Sequence, residues 1–234
     1  MRLTFVGDIS CDKPLLKAAK KKTYNFSEVF QMDSIFDNSD LVIGNLETCF
    51  GGGNRFNFKP YHYNSPDSFC EAIKHIGVDL VSTANNHCFD EGREGLMRTI
   101  QVLKRNGIEA TGTFDSEGAK RYLVKEIDNT KVAFYSLTYA VNSCYEASVE
   151  DDLFKYINII GYRNKSYSHN FVRQIWQRYY KPKIVQLYKK YIKGSTLVAY
   201  TDSLEKAVFN KTWFDYIQND IKEAKKESDI ICVL

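Results

Sequence analysis

The sequence contains no C-x-x-C pair, no G-x-x-x-x-G-K-[ST] loop and no G-x-S-x-G elbow. The first absence removes zinc-ribbon and thioredoxin-type chemistry. The other two remove P-loop nucleotide hydrolysis and the α/β-hydrolase nucleophile. Gly51-Gly52-Gly53 follows Phe50 but lacks the Lys and Ser/Thr of a phosphate loop, and reads as a flexible loop near a site rim. No apolar run approaches the ~20 residues that a membrane helix needs. Arg2-Leu3-Thr4-Phe5-Val6 is too short, and too soon broken by Gly7-Asp8, to be a signal peptide. As it stands the chain reads as cytoplasmic, with cell-envelope association expected if an upstream signal or anchor has been removed. An excess of one charge is lacking too. Against 32 basic residues stand 29 acidic ones, and a net +3 makes no case for nucleic acid, for which no recognisable module is present.

What is present suits one large globular domain, or a domain with an insertion: 234 residues, 44% hydrophobic and 26% charged. Six cysteines at 11, 49, 70, 88, 144 and 232 are scattered and read as reduced, mostly buried thiols. Short apolar runs at Leu3 to Val6, Leu41 to Ile43, Leu80 to Val81, Val132 to Leu137 and Ile230 to Leu234 have strand character. They are continuous rather than alternating, which suits strands covered on both faces. Helices fall between them. Ser65-Pro66-Asp67 predicts an N-cap with Pro at the first helical position, and Gly77 a stop. Leu96, Ile100 and Leu103 recur at helical spacing before Asn106-Gly107, and Phe214, Ile217 and Ile221 mark a last helix. The alternation predicts a mostly parallel sheet with right-handed crossovers. From about 144 to 201 the character changes. No Asp or Glu occurs between Leu153 and Thr201, while Lys and Arg alternate with many Tyr and with Trp176. This stretch reads as a helical insertion whose long basic side chains cover apolar surface. The sharper reading makes Arg173, Arg178, Lys181 and Lys183 a dock for an anionic polymer or a phosphorylated carrier.

Three strand-like runs end alike: Val6 into Gly7-Asp8, Ile43 into Gly44-Asn45-Leu46-Glu47, and Thr83-Ala84 into Asn85-Asn86-His87. Ligands bind outside the carboxyl ends of parallel strands, so Asp8, Asn45, Glu47, Asn86 and His87 can converge on one rim. They offer hard oxygens and an imidazole without a thiolate, a mixture suited to Mn²⁺, Zn²⁺ or Fe. The glycines before Asp8 and Asn45 allow a sharp turn where a side chain would obstruct a cation. A pair of such metals can bridge a phosphate and activate a water for in-line attack. Singly, each residue has an ordinary explanation: Asp8 as a helix cap, Asn45 and Asn86 as turn residues, Glu47 as a solvated charge, His87 as a structural histidine. The recurrence after three strands carries the case.

These motifs resemble those of the CapA (PGA_cap, poly-γ-glutamate capsule-synthesis) family. Ala84-Asn85-Asn86-His87 continues as Cys88-Phe89-Asp90-Glu91-Gly92, Gly95-Leu96, Thr99, Leu103, Gly107-Ile108 and Gly112, similar to the family's N-N-H-x-x-D-x-G-x-x-G-L-x-x-T block. Lys131 to Phe134 resembles the central strand that follows. The resemblance runs from residue 1 to about 140 and resumes near Ile217. It implies a metallophosphatase-like layered sandwich, and a link to capsule or related envelope polymers. By the same resemblance Asp8, Asn45, Glu47, Asn86 and His87 line the metal or substrate site and Asp90 orients His87 from behind; in the enzyme reading Asp8, Asn45, Glu47 and His87 are expected to hold one or two divalent metals, with Asn86 and His87 acting on substrate. In the family a strand like Asp229 to Leu234 leads into an H-x-G-x-E motif, and a G-H-x-x-x-H segment comes later. The sequence ends at Leu234, so the resemblance implies a C-terminally truncated portion, with weak metal binding and little activity of its own. Two functions stay open here: a divalent-metal-dependent hydrolase of a phosphoester or envelope-polymer linkage, and a non-catalytic handler of an anionic polymer.

Overall fold

The computed structural model describes residues 1–20, 23–26, 29–30, 35–53, 56, 62–142, 150–163 and 207–234. Four short strands, β1 (Leu3–Ile9), β2 (Leu41–Leu46), β3 (Leu80–Ser82) and β4 (Glu109–Thr111), pair in that order, every pair parallel. Helices α1 (Lys13–Lys20), α2 (Asp67–His75) and α3 (Gly92–Arg105) lie in the connections. A second sheet contains β5 (Leu123–Ile127), β6 (Thr130–Tyr135) and, after α4 (Glu150–Tyr156), β7 (Gly161–Arg163), β8 (Ala207–Phe209) and α5 (Lys211–Glu227), the closing strand β9 (Ile230–Val233). Its order is β5-β6-β9, with β5 antiparallel and β9 parallel to β6, while β7 and β8 form a separate antiparallel ribbon. The parallel sheet is thus pure and its neighbour mixed.

The runs in β2, β3 and β6 are covered on both faces, whereas β1 and β9 are not, leaving Phe5, Ile230 and Val233 exposed. On β2 and β3, Val42, Leu46 and Val81 pack with Leu16, Phe69, Ile73, Val102 and Leu103 of the three helices. Leu41, Ile43 and Leu80 point the other way and meet Val132 and Phe134 of β6. On β6, Ala133 and Tyr135 face Ile217 and Ala224 of α5. The layers therefore run helices, sheet, sheet, helix. Each large side chain taken from water here contributes on the order of 1.5–3 kcal/mol. The β5–β6 hairpin turns at Asp128 and Asn129, both at positive φ (48° and 60°), as a two-residue primed turn requires. Asn210 caps α5, its side-chain oxygen accepting from Trp213 N at 3.1 Å.

Ser65 does not cap α2. Pro66 occupies that position, and the Ser65 hydroxyl instead pairs with Thr48 Oγ1 at 2.8 Å, tying the end of β2 to the helix entry. Gly77 (φ 101°) and Gly107 (φ 67°) do follow the ends of α2 and α3. Within the stretch set apart by its composition, Ile157 and Ile159 are completely buried and bridge Thr113 and Thr138. Residues 164–206, which include Trp176, Arg173, Arg178, Lys181 and Lys183, and also Cys144, lie outside the described residues. Among the described residues no helix is long and apolar enough to cross a membrane.

Candidate metal centre

The carboxyl ends of β1, β2 and β3 meet at one rim because they are adjacent parallel strands. A bulge sets the phase of the first. Leu3, Thr4 and Phe5 pair with Leu41, Val42 and Ile43, but Asp8 pairs with Asn45, so β1 carries one extra residue before the site. Gly7 absorbs it at φ 75°, in the left-handed region that an L side chain resists. Asp8 is thereby brought opposite Asn45, whose Nδ2 donates to Asp8 Oδ1 at 2.8 Å. Gly44 is needed for a different reason from the one its position suggests. A Cβ there would lie 2.3 Å from Ile9 Cδ1, so the missing side chain makes room for β1 rather than for a cation.

At the end of β3, Asn85 does work that the sequence did not assign to it. Its Nδ2 donates to Asn45 Oδ1 (3.0 Å) and to the Leu46 carbonyl (2.8 Å), and its Oδ1 accepts from His87 N (3.0 Å). One buried amide thus fixes the end of β2 against the histidine turn. Behind it, Ser136 Oγ of the second sheet meets Ser82 Oγ (2.7 Å) and accepts from Ala84 N (3.3 Å), locking the two sheets together beneath the rim. The thiol of Cys49 donates to the His87 carbonyl at 3.2 Å.

His87 is only 5% exposed. Its Nδ1 lies 2.6 Å from Asp90 Oδ2, so Nδ1 is the nitrogen that donates to the carboxylate, and in the neutral ring the lone pair is then on Nε2. That Nε2 is 3.9 Å from Glu47 Oε1. Asp90 Oδ2 also accepts from Tyr63 N at 2.7 Å, so the carboxylate is itself held in place. Asn86 is half-buried, and its backbone carbonyl accepts from Asn142 N at 2.7 Å. Among the described residues its side-chain amide makes no hydrogen bond. The first two glycines of the Gly51-Gly52-Gly53 loop are tied down by Asn64, whose Oδ1 accepts from Gly51 N and whose Nδ2 donates to Gly52 O.

The electrostatics centre on Glu47. Partial burial raises its carboxyl above the usual range, and the negative charge of Asp8 raises it further. His87 opposes the rise, while Asp12 and Asp90 add to it. Carboxylates crowded in this way have an unmet demand for positive charge. The two thiols nearby are not competing donors. Burial pushes Cys88 up to about 12 and Cys49 higher still, so both stay protonated and neither offers a thiolate.

Among the described residues no group of three or more His, Cys, Asp or Glu side chains is gathered closely enough to hold a metal ion unaided. The types of donor present are nevertheless those that a divalent cation takes. Glu47 and His87 Nε2 face each other across 3.9 Å. Asp8, bonded to the Asn45 amide, is close enough to act electrostatically on Glu47, and a carboxylate backs the far ring nitrogen of His87, as it does behind metal-binding histidines generally. Hard oxygens with one imidazole suit Mn²⁺, Zn²⁺ or Fe. Sequence reading brings out Asp8, Asn45, Glu47 and His87 through their recurrence after strands. It misses Asn85, Tyr63 and Asn142, whose importance comes only from where the fold sets them.

A parallel sheet stacked on a mixed one, flanked by helices and with its strand ends gathered at one rim, is consistent with a metallophosphatase-like fold. The chain belongs to the family described as bacterial capsule synthesis protein PGA_cap, whose model matches residues 2–234. It is 26% identical over 144 residues to the capsule biosynthesis protein CapA of Bacillus anthracis, across 59% of this chain and 34% of that one. To the PGA biosynthesis protein CapA of Bacillus subtilis (strain 168) it is 24% identical over 140 residues, covering 58% and 36%. An uncharacterized protein of Sinorhizobium fredii, y4sH, is 30% identical over 118 residues, covering 47% and 24%. The matched stretch thus spans about a third or less of the length of these curated relatives.

Proposed function

We propose that the protein acts in capsule or poly-γ-glutamate biosynthesis as a divalent-cation-dependent hydrolase of a phosphoester or an envelope-polymer linkage. The observation that supports this reading best is the Glu47 carboxyl. It is driven upward by burial and by Asp8, and it faces the lone-pair nitrogen of a histidine whose other nitrogen is held by Asp90. In this reading Asp8, Asn45, Glu47 and His87 hold the cation. Asp90 keeps the proton on His87 Nδ1, so that Nε2 stays a donor of its lone pair. Asn86, its amide free of intramolecular bonds to the described residues, binds an oxygen of the substrate. A bound cation would supply polarisation of that oxygen and a lower pKa for the attacking water.

The test is hydrolysis of a chromogenic phosphodiester by the full-length protein after dialysis against EDTA. Turnover should be absent without cation, return with Mn²⁺ or Zn²⁺, and fall by about 10²-fold or more in His87→Ala, as expected when a group that serves the reacting centre is removed. A second reading rests on the acid-free, Lys- and Arg-rich stretch between Leu153 and Thr201. In it the protein handles an anionic polymer without chemistry, through Arg173, Arg178, Lys181 and Lys183. Salt-sensitive binding of polyglutamate that EDTA leaves unchanged, with no turnover under any cation, favours that reading over the first.

A further inference from the structure

The imidazole of His87 is gripped by more than Asp90. The Tyr63 ring lies against it, centroids 4.2 Å apart and planes tilted by 43°. Asn142 Nδ2 stands 3.2 Å from His87 Nε2 and 3.4 Å from Nδ1. The lone-pair directions of the two ring nitrogens diverge. A donor almost equidistant from both therefore lies along neither, and the amide packs on the ring instead of capping Nε2. Asn142 is held in turn by its own backbone, through its N–H to the Asn86 carbonyl at 2.7 Å, and by its neighbours Ala140 and Val141, both buried. It follows β6, in the second sheet, whereas His87 follows β3, in the first.

We infer that Asn142, together with Tyr63, is a positioning residue that clamps the His87 ring with Nε2 turned toward Glu47, so that the second sheet presets a cation-binding group carried by the first. This rests on the cation-centre reading above. The physical gain is preorganisation. A ring already fixed in one rotamer loses no side-chain freedom on taking up a cation, and a ring free to turn loses it on every binding event. Neither residue need touch the cation or the substrate.

The test is Mn²⁺ affinity of the full-length protein, measured by calorimetry on cation-free samples, for wild type, Asn142→Ala and Asn142→Leu, with melting temperatures recorded alongside. Leu keeps the bulk of Asn142 without its amide. Partners that orient a ligand from outside the first ring of donors are worth about 10- to 100-fold in metal affinity, so Asn142→Ala should bind at least about tenfold more weakly than wild type, and Asn142→Leu, which keeps the packing on the ring, should lose less. Should the Asn142 variants fail to fold, Tyr63→Leu reads the same clamp from its other side, with the same expected loss. Affinity within about twofold of wild type in folded Asn142→Ala, or in Tyr63→Leu where that variant is used, even with a lowered melting temperature, overturns the clamp and leaves the cation centre standing. A wild-type protein that binds neither Mn²⁺ nor Zn²⁺ overturns both.

Discussion

Glu47 is a partly buried carboxylate close to the charge of Asp8, and the effect on stability has a measurable sign. Its folded-state pKa is raised from an ordinary value of 4.5, by burial first and by Asp8 next. Folding therefore takes up protons between 4.5 and the raised value, and the ionised side chain subtracts stability as pH rises through that window. Glu47→Gln should raise the melting temperature of the cation-free protein at neutral pH. The gain should shrink toward zero as pH falls below 4.5, where Glu47 is protonated in both states. A Glu47→Gln protein that melts below wild type at neutral pH would mean that the carboxylate is satisfied without a cation. At this scale the sequence is legible where chemistry repeats. Asp8, Asn45, Glu47 and His87 stand out as candidates because acids, amides and a histidine recur just past apolar runs, and the structure sets those run ends side by side. Asn85, Tyr63 and Asn142 do not, because an asparagine or tyrosine looks the same whether it faces water or spans two strand ends, as Asn85 does with Asn45 and Leu46.

Among the elements, the bulge in β1 decides whether Asp8 reaches the site. Gly7 has positive φ and no atom within 4 Å of where a Cβ would stand, so Gly7→Ala meets no steric clash and tests the backbone alone. The left-handed conformation should cost about 1–2 kcal/mol, read as a lowered midpoint in urea with an unchanged slope. An unaltered midpoint would show that the chain can straighten here without loss. The strands that sequence reading finds are those with a continuous apolar run, whether buried on both faces, as β2 and β6 are, or partly exposed, as β1 and β9 are. Among those it misses, β4 and β5 are three and five residues long and carry Glu109, Lys125 and Glu126, so neither offers a continuous apolar run, while β7 and β8 are only three residues each. The misplaced cap of α2 has a similar origin. Ser65 is a good capping residue by type, but the buried hydroxyl of Thr48 lies within reach and takes its bond.

For the molecule as a whole, two stacked sheets bring residues separated by more than fifty positions to one rim, with His87 from one sheet in contact with Asn142 from the other. Fold class follows from alternation of apolar runs with helical spacing, and is readable because the period of each element is local. Convergence of the site is not local; it depends on strand order, which only the parallel pairing of β1, β2 and β3 settles. The most direct measurement of the central claim is the metal content of the full-length protein, by elemental analysis after growth with added Mn²⁺ and Zn²⁺, beside Asp8→Ala and His87→Ala. The account predicts on the order of one bound divalent cation per chain in wild type and about a tenfold or greater loss in each variant. Equal metal content in all three proteins, or none in any, would contradict it.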